Sequence, residues 1–237
     1  GCVMPPIFAT STFRHGNKGD FDYTRSGNPN FHILERVLKG IEDTEFCTTF
    51  NSGISAVTAI ASSLKNGDKI LCESNLYGCT IRLFEKVFRK FGIEIFYTDF
   101  TSEDYKESIS KVNPNLIWLE SPTNPLLKIL NISEICKIAH RYKITVVVDN
   151  TFNTALIQKP IDLGATISMI STTKLINGHS DALGGAVLTN DKDWHEKMLF
   201  AQKSLGLNPS PFDSWLITRG LKTLPLRIKE QTKNAEI

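Results

Sequence analysis

The segment Val146-Val147-Val148-Asp149-Asn150-Thr151 places three consecutive β-branched residues directly before a carboxylate. β-branched residues favour strands, and an unbroken apolar run is typical of a strand buried on both faces of a parallel sheet. Ligands of such sheets bind outside the carboxyl ends of the strands. We therefore expect a buried strand over 144–148, with Asp149 emerging at a ligand-binding edge.

Strand and helix patterns alternate on both sides of this segment. Strands are predicted over 46–50, 69–72, 93–98, 116–119, 144–148, 166–170 and 186–189. Helices are predicted over 28–41, 54–64, 81–91, 102–112, 132–139, 191–203 and 212–218. Such alternation is typical of βαβ units, so the sequence predicts an α/β fold with a mostly parallel sheet covered by helices on both faces.

The first 30 residues have a different composition. They are rich in Gly, Pro, Ser, Thr and Asn and show no hydrophobic period, which indicates an extended arm over 1–30. A large domain is expected over 31–220, and the beginning of a linker helix over 221–237. Because the chain lacks an initiator Met and a signal-peptide pattern, we expect it to start inside a longer gene product.

Composition narrows the classes of protein to consider. The 237 residues are 41% hydrophobic and 22% charged, a mixture typical of globular proteins. The formal net charge of +2 does not favour a nucleic-acid or membrane-surface partner. Five scattered cysteines without a CxxC pair predict free thiols in a reducing cytoplasm, with neither a disulfide framework nor a metal site.

The motif Ser171-Thr172-Thr173-Lys174 directly follows the apolar strand over 167–170. A lysine whose surroundings lower its pKa can act as a nucleophile, and its Schiff base with pyridoxal phosphate (PLP) is a frequent use. The neighbouring hydroxyl groups can donate hydrogen bonds to a phosphate. A solvated lysine in a turn is the alternative, and it is favoured when the motif is considered alone.

Asp149 adds a second requirement of a PLP site. An acidic partner keeps the ring nitrogen of PLP protonated, so that the ring withdraws electrons. Capping of the next turn is an equally good explanation of an aspartate at this position. A buried strand that ends in Asp149, followed by a strand that ends in Lys174, favours the PLP site.

Three further segments fit the same chemistry. Gly53, in Asn51-Ser52-Gly53-Ile54, precedes a predicted helix, whose free N–H groups and dipole favour a single phosphate. Tyr77 at a helix start can stack on a flat ring, and Arg25 in the arm can bind phosphate through its planar fork. The alternatives are an ordinary helix cap, a tyrosine packed on the sheet and a surface salt bridge, respectively.

A hydrolase built on His179-Ser180-Asp181 is not favoured. Adjacent residues do not face one another, and the sequence contains no GxSxG turn. We expect His179 to have a structural role.

Together these segments resemble the Cys/Met-metabolism (trans-sulfuration) family of PLP enzymes, over nearly the whole chain. The family includes cystathionine γ-synthases, cystathionine β- and γ-lyases, methionine γ-lyases and O-acylhomoserine sulfhydrylases. The resemblance runs through Met4-Pro5-Pro6-Ile7, Tyr23-Thr24-Arg25-Ser26-Gly27-Asn28-Pro29, Ser52-Gly53, Tyr77-Gly78, Glu120-Ser121-Pro122-Thr123-Asn124-Pro125, Val148-Asp149-Asn150-Thr151-Phe152, Ser171-Thr172-Thr173-Lys174, Gly178-His179-Ser180-Asp181 and Arg219-Gly220-Leu221-Lys222-Thr223-Leu224.

The resemblance implies the large domain of a type I PLP enzyme, with the aspartate-aminotransferase-like fold. It places the family's C-terminal small domain, with an arginine that binds the substrate carboxylate, outside this chain. It also implies a cytoplasmic homodimer or homotetramer that shares its active sites between subunits and acts on a small sulfur amino acid.

The resemblance further implies roles for single residues. Lys174 would carry PLP as a Schiff base and shuttle protons, and Asp149 would pair with the ring nitrogen. Tyr77 would stack on the ring and act as an acid or base, and Asn124 would lie near the ring oxygen and the substrate carboxylate. The residues expected to hold the phosphate are Ser52, Gly53, Ile54, Ser171 and Thr173, joined by Tyr23 and Arg25 from the neighbouring subunit.

The choice of reaction depends on details of the pocket. Cys79 resembles a position that carries Cys in methionine γ-lyases, whereas the segments 178–181 and 209–213 resemble cystathionine γ-lyases and γ-synthases. We expect a PLP-dependent C–S lyase that cleaves cystathionine or a related thioether such as methionine. The alternatives are a cystathionine γ-synthase or O-acylhomoserine sulfhydrylase, and a PLP-binding regulator without activity, against which Tyr77, Asp149 and Lys174 argue.

Overall fold

The computed structural model describes residues 2–236 and places the valine-rich segment in the middle of a seven-stranded sheet. In chain order the strands are β1 (Phe46–Phe50), β2 (Lys69–Glu73), β3 (Glu94–Thr98), β4 (Leu116–Glu120), β5 (Thr145–Asp149), β6 (Ile167–Ile170) and β7 (Gly185–Thr189). Every predicted strand is present, and its ends lie within one residue of the prediction.

The strand order across the sheet is β1-β7-β6-β5-β4-β2-β3. Neighbouring strands from β3 to β6 run parallel, whereas β7 is antiparallel to both β6 and β1. The chain reverses after β6 because residues 171–184 form turns and bends in place of a crossover helix. The prediction of a mostly parallel sheet is confirmed, and β7 is an exception that the alternation did not indicate.

Helices connect most of the strands. They are α1 (Pro29–Glu42), α2 (Gly53–Ala61), α3 (Gly78–Lys86), α4 (Tyr105–Val112), α5 (Ile132–Arg141), α6 (Thr154–Ile157), α7 (Lys192–Ser204), α8 (Pro211–Leu221) and α9 (Leu224–Ala235). The predicted helix over 81–91 is two elements, α3 and a short 3-10 helix (Phe88–Phe91). The prediction missed the start of α3 at Gly78 because the first turn does not contribute to the apolar period, and the single turn α6 was not predicted.

The three valines of β5 serve two layers of helices. Val147 packs in a cluster with α2, α3 and α7 on one face of the sheet. Val146 and Val148 pack with α4 and α5 on the opposite face. Helices α1, α8 and α9 cover the remainder of that second face, over β6, β7 and β1. Because side chains alternate along a strand, a strand covered on both sides must be apolar throughout.

Two asparagines attach the N-terminal arm to the domain. The amide group of Asn30 accepts the N–H of Phe8 (2.8 Å) and donates to the carbonyl of Pro6 (3.0 Å). Asn28 donates to the carbonyl of Phe8 (3.0 Å) and caps α1 by accepting the N–H of Asn30 (3.0 Å). Among residues 2–236, no helix has the length and apolar character needed to cross a membrane.

Candidate active site

One cavity of about 680 Å³ opens at the carboxyl edge of the sheet. It collects side chains from the ends of several strands, as the topology of a parallel sheet requires. Nine of the eleven predicted site residues line it, namely Ser52, Gly53, Ile54, Tyr77, Asn124, Asp149, Ser171, Thr173 and Lys174. Tyr23 and Arg25 do not.

Asp149 lies at the base of the cavity and is 7% exposed. Its Oδ1 accepts the N–H of Thr151 at 3.0 Å. Burial raises the pKa of Asp149, because a charged carboxylate loses its hydration, and the bonds from Thr151 only partly offset this. Opposite Asp149 the site therefore favours a group that brings a positive N–H, as a protonated ring nitrogen does.

Gly53 lies where the chain turns into α2. A side chain at this position would place its Cβ 2.7 Å from Cβ and 2.8 Å from Oγ of Ser171, so only glycine allows this approach. The hydroxyl of Ser52 caps the helix by accepting the N–H of Ser55. The first N–H groups of a helix have no partner inside it, which leaves those of Gly53 and Ile54 for an anion.

The two predicted hydroxyl donors differ. Thr173 donates to the carbonyl of Gly184 (3.1 Å) and accepts the N–H of the same residue (3.0 Å). The hydroxyl of Thr173 thus holds the turn closed in this arrangement, and its predicted role at a phosphate stays a prediction. Ser171 lies against Gly53, and its N–H donates to Oγ1 of Thr151 (2.8 Å).

Tyr77 and Lys174 form the accessible part of the lining. Tyr77 is 42% exposed. Hydrogen bonding to Cys79 and partial burial raise the pKa of Tyr77 above its ordinary value of 10, so its hydroxyl is protonated at neutral pH with or without this shift. Lys174 is exposed, in the turn that follows β6.

Glu120 is a lining residue that the sequence prediction missed. It ends β4 in register with Asp149 on β5, and its Oε2 accepts the N–H of Tyr77 at 2.8 Å. Burial and the charge of Asp149 raise the pKa of Glu120 to about 8. Its position at a strand end, like that of Asp149, was the signal that could have found it.

The rim of the cavity carries two cations, Arg82 and Lys86, which were also missed. Arg82 contacts Sγ of Cys79 at 3.5 Å, and neither cation has a carboxylate partner within the described residues. Their spacing from Cys79 along α3 was the available signal. Among residues 2–236, no group of three or more acidic, His or Cys side chains is arranged to hold a metal ion.

Tyr23 and Arg25 lie together on the exposed arm. The guanidinium of Arg25 is 5.4 Å from the ring centre of Tyr23 and donates to the carbonyl of Lys203 at 2.8 Å. Their predicted role at a neighbouring subunit stays a prediction. His179 has its Nδ1 2.6 Å from the carbonyl of Asn177, a local contact within the turn.

Comparisons with known proteins extend these observations. The family model for Cys/Met metabolism PLP-dependent enzymes matches residues 1–237. The chain is 40% identical to a probable cystathionine gamma-synthase of Herpetosiphon aurantiacus, over 99% of this chain and 75% of that protein. It is 41% identical to the human cystathionine gamma-lyase, over 98% of this chain and 58% of the relative.

A solved structure of similar fold is the cystathionine gamma synthase of Xanthomonas oryzae pv. oryzae in complex with cystathionine. The TM-score is 0.90 at 37% sequence identity, over 94% of this chain and 59% of that chain. This chain therefore spans between about three fifths and three quarters of the length of these relatives.

The close approach at Gly53 leads to a first prediction. Gly53→Ala should weaken PLP binding by about tenfold or more, because the added methyl group displaces Ser171 from the predicted phosphate site beside Gly53. The measurement is titration of the PLP-free full-length protein, followed by visible absorbance. Gly40→Ala is the matched control, since nothing lies within 4 Å of its new Cβ, and equal losses in both variants would contradict the prediction.

The raised pKa of Glu120 leads to a second prediction. A carboxyl group that holds its proton more tightly when folded favours folding below its ordinary pKa of 4.5, and this contribution is lost as the pH rises through about 8. In the PLP-free protein, the free energy of unfolding should fall less steeply with pH in Glu120→Gln than in wild type over this window.

Urea unfolding at several pH values measures these slopes. A tenfold difference in proton affinity between the folded and unfolded chain corresponds to about 1.4 kcal/mol, so the difference in slope should be resolved. Glu107→Gln is the control, because Lys111 lowers the pKa of Glu107 and its titration falls below the window. Parallel slopes for wild type and Glu120→Gln would contradict the prediction.

Proposed function

Because the chain belongs to the Cys/Met metabolism family of PLP-dependent enzymes, we propose that the full protein is a PLP-dependent carbon–sulfur lyase. Its substrate would be cystathionine or a related thioether such as methionine. The observation that supports this best is the meeting of Lys174, Asp149 and Gly53 in one cavity. The human relative, named cystathionine gamma-lyase, supports the choice of reaction.

The residues of the cavity fit PLP. Asp149 is assigned to the ring nitrogen and Tyr77 to the ring face, while the N–H groups of Gly53 and Ile54 and the hydroxyl of Ser171 are assigned to the phosphate. When bound, PLP withdraws electrons from the substrate, which eases loss of the α-proton and departure of the sulfur. Ser52 supports this cradle as a helix cap, and Thr173 by holding the turn closed.

Two side chains are assigned proton transfers. Nζ of Lys174 would take the proton from the α-carbon of the substrate, since this lysine lies in a turn with a flexible stem and reaches into the cavity. The hydroxyl of Tyr77, which lines the cavity and is protonated at neutral pH, would donate to the leaving sulfur. Glu120 would hold Tyr77 in place by accepting the backbone N–H of Tyr77.

The remaining lining suits a substrate with an apolar chain and charged ends. Ile54, Val57 and Leu83 offer an apolar wall, and Arg82 at the rim offers a cation for a carboxylate. Asn124 also lines the cavity and can bind a carboxylate or ring oxygen through its amide. Cystathionine combines a thioether chain with a carboxylate at each end. The chain would suit the apolar wall, and the carboxylates would suit Arg82 and Asn124.

The alternative is a γ-replacement reaction, catalysed by a cystathionine γ-synthase or an O-acylhomoserine sulfhydrylase. It is supported by the names of the Herpetosiphon relative and of the Xanthomonas structure. The two reactions share the cofactor and differ in whether a second thiol adds after the first group leaves.

We also propose an assembly, a division of the chain and a location. The exposed Tyr23 and Arg25, held on an arm over 1–30, suit contact with the phosphate of a neighbouring subunit in a dimer or tetramer.

Residues 31–220 would form the PLP-binding domain, and 221–237 the start of a linker helix. Free cysteines, three of them buried, suit the reducing cytoplasm.

Attachment of PLP to Lys174 is the first test of this function. The full-length protein should be yellow with PLP, and borohydride should fix the cofactor on the peptide that contains Lys174, as found by mass spectrometry. Lys174→Ala should lose this fixation, whereas Lys111→Ala, at an exposed position on α4, should keep it. A protein that gains no visible absorbance with added PLP would refute the proposal.

Product analysis is the second test. We expect an α-keto acid, ammonia and a thiol from cystathionine alone. Formation of cystathionine from O-succinylhomoserine and cysteine, without keto acid from cystathionine, would shift the function to the γ-synthase alternative. Methionine is tested as the other candidate lyase substrate. Absence of product from cystathionine, from methionine, and from O-succinylhomoserine with cysteine would indicate a PLP-binding regulator.

A further inference from the structure

Arg227, on α9, reaches the backbone that follows Lys174. Its Nη1 donates to the carbonyl of Leu175 at 2.6 Å, and its Nη2 donates to the carbonyl of Ile176 at 3.1 Å. Arg227 does not line the cavity. A residue 53 positions further along the chain thus binds the first two carbonyls that follow the lysine.

The same guanidinium also binds residues at the junction of α8 and α9. Nη2 also donates to the carbonyl of Gly220 at 3.0 Å, at the end of α8, and Nε donates to Oγ1 of Thr223 at 3.1 Å. Within the described residues no carboxylate pairs with Arg227. The planar fork is therefore directed at backbone carbonyls of two segments, a geometry that the single ammonium of a lysine does not reproduce.

The turn after β6 ends with two carbonyls, those of Leu175 and Ile176, that accept no backbone N–H within the described residues. The N–H of Gly178 donates to the carbonyl of Lys174 at 2.8 Å, and the N–H of Asn177 donates to that of Thr172 at 2.9 Å. Gly178 then takes φ +69°, as at a helix C-terminus, and the chain leaves the turn. The carbonyls of Leu175 and Ile176 come too late in the turn for a following N–H, and Arg227 supplies their donors.

Gly178 shows how close this contact is. The guanidinium of Arg227 lies where a side chain at this position would begin. The turn, α9 and the end of α8 thus form one packed unit behind the cavity, and Ile176 and Asn177 are buried in it.

We propose that Arg227 is a positioning residue for Lys174. By holding residues 171–178 in one conformation, it fixes the direction in which the lysine side chain enters the cavity. This inference rests on the proposed role of Lys174 as the residue that binds PLP. It assigns α9 an effect on a site that Arg227 does not touch.

The test compares Arg227→Lys with a variant that loosens α9 in another way. Arg227→Lys keeps the charge and removes the fork. Ile228→Val removes one methyl group from the adjacent buried residue of α9 and leaves the fork in place. Both variants should lower the Tm, so thermal stability alone does not separate positioning from packing.

Two readouts on the full-length protein separate them. In the PLP-free state, the amides of Asn177 and Gly178 should exchange hydrogen about tenfold faster in Arg227→Lys than in wild type, the scale of one or two lost hydrogen bonds. With added PLP, the borohydride-fixable attachment to Lys174 should form about tenfold more slowly. Ile228→Val should match wild type in both measurements.

Each other outcome has a definite meaning. If Arg227→Lys matches Ile228→Val in both readouts, Arg227 only fastens α9 and the inference is wrong. If wild type fixes no PLP on Lys174, the proposed function fails and the inference fails with it. If Arg227→Lys does not fold, Thr223→Val replaces it in the test, because this substitution removes the acceptor of Nε of Arg227. The inference then predicts smaller changes of the same sign in both readouts, and no change would contradict it.

Discussion

The buried carboxylate of Asp149 is the constraint on which the site depends. A carboxylate that is 7% exposed is costly unless a partner compensates its lost hydration, and within the described residues its bonds come from Thr151. The topology of the parallel sheet places Asp149 where a ligand could provide this compensation. The ends of β5 and β6 open at one edge, so Lys174 and Asp149 line one cavity, to which we assign a cationic ring and a phosphate.

Position at a strand end does not by itself decide what a carboxylate does. Glu73, Glu120 and Asp149 end three adjacent strands, and all three are buried. Glu73 accepts three hydrogen bonds from the loops that follow β2 and β3 and is structural. Glu120 accepts the backbone N–H of Tyr77, and Asp149 lines the cavity and accepts hydrogen bonds from Thr151 within the described residues. Of these three carboxylates, Glu120 and Asp149 line the cavity and Glu73 does not, so a place at a strand end does not by itself mark a ligand-binding group.

Features that depend on local sequence patterns could be predicted, whereas features that depend on contacts between distant residues could not. The strands and the residues at their ends follow from local patterns, as Val146-Val147-Val148-Asp149 shows, and the lining residues near them follow from the same patterns and the family resemblance. The reversal of β7 depends on the conformation of residues 171–184, which no periodicity records. The bonds that commit Thr173 to Gly184, and the contact of Arg227 with the turn, join residues distant along the chain or in irregular backbone. Such contacts become visible only when the chain is folded.

The two ionisable groups of the proposed chemistry have opposite mechanical requirements. Asp149 has to stay in one place, and a central strand packed on both faces provides this without further support. Lys174 has to move a proton between positions, which requires a flexible side chain on a backbone that does not itself move. A turn after a strand gives the side chain this freedom, but its last carbonyls lack donors. The backbone of such a lysine therefore needs a donor from outside the sheet, and Arg227 is the residue that supplies it.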